Sequence, residues 1–263
     1  MKVEKLNKKE LDDYCKSIGI DTKKKKKSEL VEAVYDYERS VIDEAIASGN
    51  CLDLLKEKIS KLADEYASNL KGKIVARKEE MKGDDNSHYL IYRVLGISNG
   101  EGILIDEYQN TGRFLYKYAG SFLEEAATVC LFFANSKGGK TLVENTLGAK
   151  PKTFEIDFLN GNDAVELKWR DATTDGDHIT KEHTRVKVIS AHGYKPVRVM
   201  FYYPQRTQAI KIQETLKTIY AGVDGEYYAG DDAWDYLQNI SGYDLKDILN
   251  EIACKRDKEV SDA

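Results

Sequence analysis

No stretch of this 263-residue chain is apolar for long enough to cross a bilayer, and the first residues hold no secretory hydrophobic core. The sequence therefore predicts a cytoplasmic protein with no membrane partner. Cysteine is sparse. Cys15, Cys51, Cys130 and Cys254 are widely spaced, with no Cys-x-x-Cys pair, which argues for reduced thiols and against a zinc site or a disulfide framework. An excess of positive charge is missing too, because 40 Lys and Arg face 45 Asp and Glu for a net charge of −5. That excludes a generic polyanion coat, yet an acidic surface can coexist with a local basic groove, since nearby charges govern phosphate contacts. Internal repeats are also absent. What remains is ordinary globular material, 41% hydrophobic and 32% charged, enough for one large domain and a small appendage.

The appendage is legible in residues 1–37. Leu6, Leu11, Tyr14 and Ile18 share a helical face that Gly19 terminates, and Ser28 opens a second helix carrying Leu30, Val31, Val34 and Tyr35. Between them runs Lys23, Lys24, Lys25, Lys26 and Lys27. Two short helices around a lysine-rich loop resemble the SAP-type DNA-binding motif, which would turn those lysines toward phosphates. The plainer alternative is a helical hairpin with a solvated charge run. Residues 38–83 read as linking and packing helices, interrupted at Gly49-Asn50, with Leu52, Leu55, Ile59, Leu62, Tyr66 and Leu70 as one apolar stripe. The main domain spans 84–254. In it, Gly100–Asp106 reads as a short strand or turn and Gly120–Phe133 as a buried helix. A hairpin follows over 153–169, then a helix over Asp177–Ala191 and a central strand at Pro196–Tyr203. Further helices occupy Thr207–Val223, Asp231–Asn239 and Leu245–Ala253. Residues 255–263 read as a loose charged tail. The order predicts an α/β (α+β) core, a mixed central sheet flanked by helices, with an N-terminal helical module.

The hairpin carries the chemistry. Thr153–Asp157 has strand character, Asn160-Gly161-Asn162 is a turn, and Asp163–Trp169 returns as a second strand. Alternation along a strand puts Glu166 and Lys168 on one side with Leu167 turned into the core. The turn brings Asp157 to the same side. Two carboxylates and an amine at a sheet edge suit metal-assisted hydrolysis, the oxygens taking a hard divalent cation and the ammonium holding a water. Asp157, eight intervening residues and then Glu166-Leu167-Lys168 resemble the PD-(D/E)xK nuclease signature, with Ile156 where a proline often stands. A solvated hairpin with a surface ion pair is the competing interpretation.

Two other segments invite functional readings. Ala134–Thr141 ends in Gly-Lys-Thr like a phosphate-binding loop, but alanine stands where that pattern needs glycine and a helix precedes it. A surface loop and no nucleotide cofactor are expected. His178 and His183 are five apart, not the four that zinc proteases use. The segment after Lys168 is different. Arg170, Asp171, Thr173, Thr174, Asp175, His178, Lys181 and Arg185 place donors and acceptors beside the proposed site, where they could contact phosphates and read base edges.

Residues 168–185 are similar to the ApaLI-like family of type II restriction endonucleases, as are Tyr116–Glu125, Pro196–Pro204 and Gly230–Trp234. The resemblance implies a restriction-endonuclease-like core and a Mg2+-dependent site, acting as a homodimer on palindromic double-stranded DNA to leave 5′-phosphate and 3′-hydroxyl ends. It sets Asp157, Glu166 and Lys168 at the catalytic positions, with Asp157, Glu166 and the Leu167 carbonyl as metal ligands. A further acid from a preceding helix would be Glu125 or its neighbour Glu124. Alternatives of other classes are a structure-specific repair or junction-resolving nuclease on the same core and a non-catalytic SAP-like DNA-binding protein.

Overall fold

The structure, a computed structural model, describes residues 3–148, 150–170 and 176–261. Five helices come first: α1 (Lys8–Ser17), α2 (Lys27–Ser48), α3 (Cys51–Met81), α4 (Tyr89–Val94) and α5 (Asn99–Ala134). The strands β1 (Gly139–Glu144), β2 (Thr153–Asn160) and β3 (Asp163–Arg170) follow. Then come α6 (Gly176–Ala191), β4 (Lys195–Tyr202), α7 (Thr207–Ala221), β5 (Glu226–Ala229), α8 (Asp231–Ser241) and α9 (Leu245–Ser261). The strands form one mixed sheet in the order β1-β2-β3-β4-β5, antiparallel from β1 to β3 and parallel from β3 to β5. This is the α+β architecture the element order predicts.

The two faces of the sheet are covered by different helices. Val165, Leu167, Val197, Val199 and Phe201 turn to the main core, against α3, α5, α8 and α9. On the other face α6 brings Val188 and Ile189 onto Val143, Phe154, Ile156 and Ala164. The hairpin needs only the two residues Gly161 and Asn162 between β2 and β3, and Gly161 takes φ +60°, a conformation glycine adopts without strain. The N-terminal helices hold a separate apolar cluster of Val3, Leu11, Cys15, Leu30 and Val34.

Three readings change. Gly100–Asp106 lies inside α5, whose start is fixed by a reciprocal cap: Ser98 accepts from the Glu101 N–H, and the Glu101 carboxylate accepts from the Ser98 N–H. The boundary at residue 37 falls inside α2, which continues unbroken to Ser48 and stops at Gly49 in the left-handed conformation. Residues 255–261 are the last turns of α9, not a loose tail. Their Arg256 guanidinium is held by Asp64 of α3 at 2.7 Å.

Candidate active site

Asp157 stands on a kink in its strand. Gly139 pairs with Leu159 and Thr141 with Ile156, so β2 carries one residue more than β1 across this interval. Residues two apart on a regular strand share a face. Here Phe158 joins the main core while Ile156 joins the cluster under α6. The extra residue of the bulge re-aims the Asp157 side chain. The β2–β3 ladder closes at Phe158 opposite Val165. One step further the Leu167 N–H donates to Asp157 Oδ2 at 3.0 Å, so a side chain takes over from the backbone ladder.

Around that point the charges converge. Lys168 Nζ lies 2.6 Å from Glu166 Oε1, 3.9 Å from Asp157 Oδ2 and 3.8 Å from Glu124 Oε1. The second Glu166 oxygen accepts from Arg185 of α6. Arg185 also pairs with Glu182 at 3.1 Å and donates to the Glu155 carbonyl at 3.0 Å. Glu182 meets Arg198 of β4 at 3.4 Å and accepts from the Tyr220 hydroxyl of α7 at 2.6 Å. Behind the cleft, then, runs a buried chain of alternating sign, Lys168–Glu166–Arg185–Glu182–Arg198. The Arg198 Nε finds no hydrogen-bond partner among the described residues.

Protonation follows from this packing. Burial, with the negative charge of Glu166 next, pushes the Asp157 carboxyl up to about 7, against the opposing pull of Lys168 and the Leu167 N–H. Burial alone would raise Glu166 as well, but Arg185 and Lys168 outweigh it and hold the carboxyl well below its ordinary value. For Lys168 burial acts downward and is overcome by Glu166, Asp157 and Glu124, which keep the ammonium charged. Two carboxylates on neighbouring strands thus behave oppositely: Glu166 stays ionised, and Asp157 exchanges its proton near neutrality.

The expected residues are only partly brought together. Asp157, Glu166 and Lys168 meet. Of the two α5 acids, Glu125 has a contact with α3. It accepts from the Tyr66 hydroxyl at 2.8 Å, and Glu124 is the α5 acid that reaches Lys168. Arg185, expected at the DNA surface, is buried beneath Glu166 with its guanidinium spent on two carboxylates and a carbonyl. Arg170 and Lys181 are exposed, Arg170 stacking over Trp169 and Tyr116. Asp171, Thr173, Thr174 and Asp175 lie outside the described residues, as does the side chain of His178. Lys23, Lys24, Lys26 and Lys27 are exposed and Lys25 is half-buried, with Lys27 Nζ donating to the Glu4 carbonyl at 2.8 Å. Ala134–Thr141 leaves the C-terminus of α5 and enters β1. A phosphate-binding loop runs the opposite way, from strand to helix N-terminus. Sequence reasoning missed Glu182, Arg198 and Tyr220, whose partners come from other elements. The one local signal was a lone arginine in the otherwise apolar run of β4.

Among the described residues no group of three or more His, Cys, Asp or Glu side chains is arranged to hold a metal ion. A cavity of about 490 Å3 opens beside the cleft, walled by Glu124, Glu125, Asp157 and Phe158 on one side and by Tyr14, Val34 and Tyr35 of the N-terminal helices on the other.

Fold and cluster together define an α+β protein with a cluster of buried charges where β2 and β3 part. Residues 22–254 match the family model described as ApaLI-like restriction endonuclease, and the chain belongs to that family. It is therefore a restriction nuclease, a hydrolase that binds DNA. No curated protein and no solved structure matches the chain. No helix among the described residues is long and apolar enough to cross a membrane.

Proposed function

We propose that the chain is a Mg2+-dependent type II restriction endonuclease of PD-(D/E)xK type. It acts as a homodimer on a palindromic site in double-stranded DNA and leaves 5′-phosphate and 3′-hydroxyl ends. The observation that carries the reading is the approach of the Asp157, Glu166 and Glu124 carboxylates to the one Lys168 ammonium. An all-oxygen donor set of this kind fits a hard divalent cation. Asp157 and Glu166 would hold it, with the Leu167 carbonyl. N–H and C=O of one extended residue point to the same strand edge, and the Leu167 N–H already points at Asp157. Bound there, Mg2+ would offset the charge of the scissile phosphate and favour ionisation of a water.

This chain's own residues do the rest. Lys168, with three hydrogens on a charged head, donates to the attacking water and fixes its direction, and Glu166 holds the ammonium in place. Arg185 takes the deeper oxygen of Glu166, so the one facing Lys168 keeps a fixed direction. Asp157, titrating near neutrality, is ionised above about pH 7 and ready to ligate. Exposed Arg170, two residues beyond Lys168 in β3, and exposed Lys181, next to Glu182 in α6, supply phosphate contacts. The lysines at 23–27 form a second, sequence-independent contact in the manner of a SAP-like module. In this scheme residues 84–254 carry the nuclease chemistry, α3 packs into their core, and α2 runs from that core to the N-terminal cluster.

Phage genomic DNA incubated with the purified protein, once with Mg2+ and once with EDTA, tests the reading. Discrete fragments in Mg2+ alone, whose ends accept ligation without prior phosphorylation, are expected. A smear, or cutting that persists in EDTA, would overturn it.

A further inference from the structure

Among the described residues seventeen large apolar side chains are exposed, and ten of them fall between residues 90 and 116. On α4, Tyr89 and Tyr92 turn inward around Gly102 of α5, leaving Leu90, Ile91, Val94 and Leu95 outward at 56–73% exposure. On α5, Leu104, Tyr108 and Leu115 recur at helical spacing, with Ile105 and Tyr116 beside them, all at least half exposed. The opposite side of this half of α5 is already committed to α3, where Glu107 pairs with Lys78 and Asn110 accepts from Arg77.

Side chains of these sizes and exposures leave on the order of 1,000 Å2 of apolar surface, where a monomer's largest patch is roughly 300–600 Å2. A stable complex of standard size takes about 800 Å2 from each partner. We infer that the outer face of α4 and the first half of α5 is the surface on which two copies of this chain dimerise, α5 packing antiparallel against α5 across a two-fold axis. This rests on the proposed homodimer and names its interface.

Two further observations select a second copy as the occupant. Exposed Glu101 lies at one end of the stripe and exposed Arg113 on its flank toward the other, so an antiparallel copy sets acid near base at both ends, as an isologous interface requires. Gly112 sits within the stripe, between Tyr108 and Leu115, and a Cβ added there meets no atom of the chain within 4 Å. Its own fold does not need the glycine, which spends helix stability; a partner helix approaching closely does. The stripe ends at Tyr116, which packs on Trp169 at 5.8 Å between ring centroids. Trp169 follows Lys168 directly in β3, so the interface would reach to the edge of each cleft.

Sedimentation equilibrium of the full chain without DNA, at micromolar concentration, tests the inference. The wild type is expected at twice its 29.8 kDa chain mass. Leu104→Glu with Tyr108→Glu, and separately Gly112→Leu, are expected at the single-chain mass with unchanged circular dichroism. A monomeric wild type overturns the inference, as do variants that remain dimeric. Cleavage is scored on the same samples: a wild-type dimer that does not cut DNA refutes the nuclease reading and leaves the interface standing, and a wild-type monomer that makes double-strand cuts does the reverse.

Discussion

Replacing Arg185 with leucine separates a residue that holds the site from one that holds DNA. Seven ionisable groups meet in this part of the molecule: Glu124, Asp157, Glu166 and Glu182 against Lys168, Arg185 and Arg198. Arg185→Leu removes the cation shared by Glu166 and Glu182 and leaves the Glu155 carbonyl without that donor. Breaking a buried pair from one side costs about 3–5 kcal/mol, because an uncompensated charge stays behind. Each glutamate keeps a second cation, Lys168 for Glu166 and Arg198 for Glu182, which sets the expectation at the lower end, about 3 kcal/mol. For a chain of this length that is a fall in Tm of roughly 6–12 °C. Arg185→Lys, which can restore one contact but not the fork, should lose about half as much. Thermal or urea unfolding followed by circular dichroism reads both. A residue buried beneath β2 and β3 contributes no phosphate contact, so DNA affinity at a temperature where the variant is folded should keep the wild-type salt dependence. A variant as stable as the wild type, whose log Kd against log salt flattens by about one unit, would refute the argument.

Asp157→Asn keeps an acceptor for the Leu167 N–H but cannot ionise. A carboxyl raised in the folded state keeps its proton while the unfolded chain releases one, so wild-type stability should fall from about pH 4 to about 7 and stay low above it. In EDTA the variant should match the wild type at pH 4 and exceed it at pH 8 by about 2 kcal/mol, less than the full shift implies because the side chain is 24% exposed; a pH-independent difference in urea unfolding would be inconsistent with this. The same variant, and Glu166→Ala, should lose cleavage by roughly a hundredfold or more with DNA binding retained or tightened. Glu124→Gln should lower cleavage about 10–100-fold with little change in Tm, whereas Glu125→Gln, which disturbs the Tyr66 contact, should register mainly in Tm; the reverse pattern would return the supporting role to Glu125. Replacing Lys23, Lys24 and Lys26 with alanine should weaken binding to all duplexes alike and lower the salt slope by up to about 0.9 for each phosphate no longer neutralised, and an altered cutting pattern would mean those side chains read sequence.

The hairpin is legible in the sequence because its signals are local. Asn160-Gly161 demands a turn, and the alternation in β3 sorts Glu166 and Lys168 from Leu167 before any tertiary contact is known. Other features depend on partners far along the chain. Glu124 and Glu125 are adjacent on one helix, and the hydroxyl that Glu125 accepts from belongs to Tyr66 on α3, far away along the chain. Arg185 resembles a DNA contact in sequence because its neighbours are polar, yet the groups that claim it come from β2, β3 and its own helix. The start of α5 is easily misread although Ser98-x-x-Glu101 is a helix-start pattern, since Asn99, Gly100 and Gly102 suggest a break. In α9 the run of charge from Lys255 onward suggests fraying, but the helix gains an anchor in Asp64 that local propensity cannot anticipate.

The irregular pairing of β1 with β2 makes the cleft unusually sensitive to chain length. Shortening β2 by a single residue on the N-terminal side of Phe158 would straighten the strand, and the aspartate would exchange sides with its apolar neighbours while every amino acid needed for hydrolysis remained in the polypeptide. Insertions and deletions in this segment should therefore be purged more strictly than substitutions at most of its positions. An enzyme engineered here would do better to change side chains than to alter spacing.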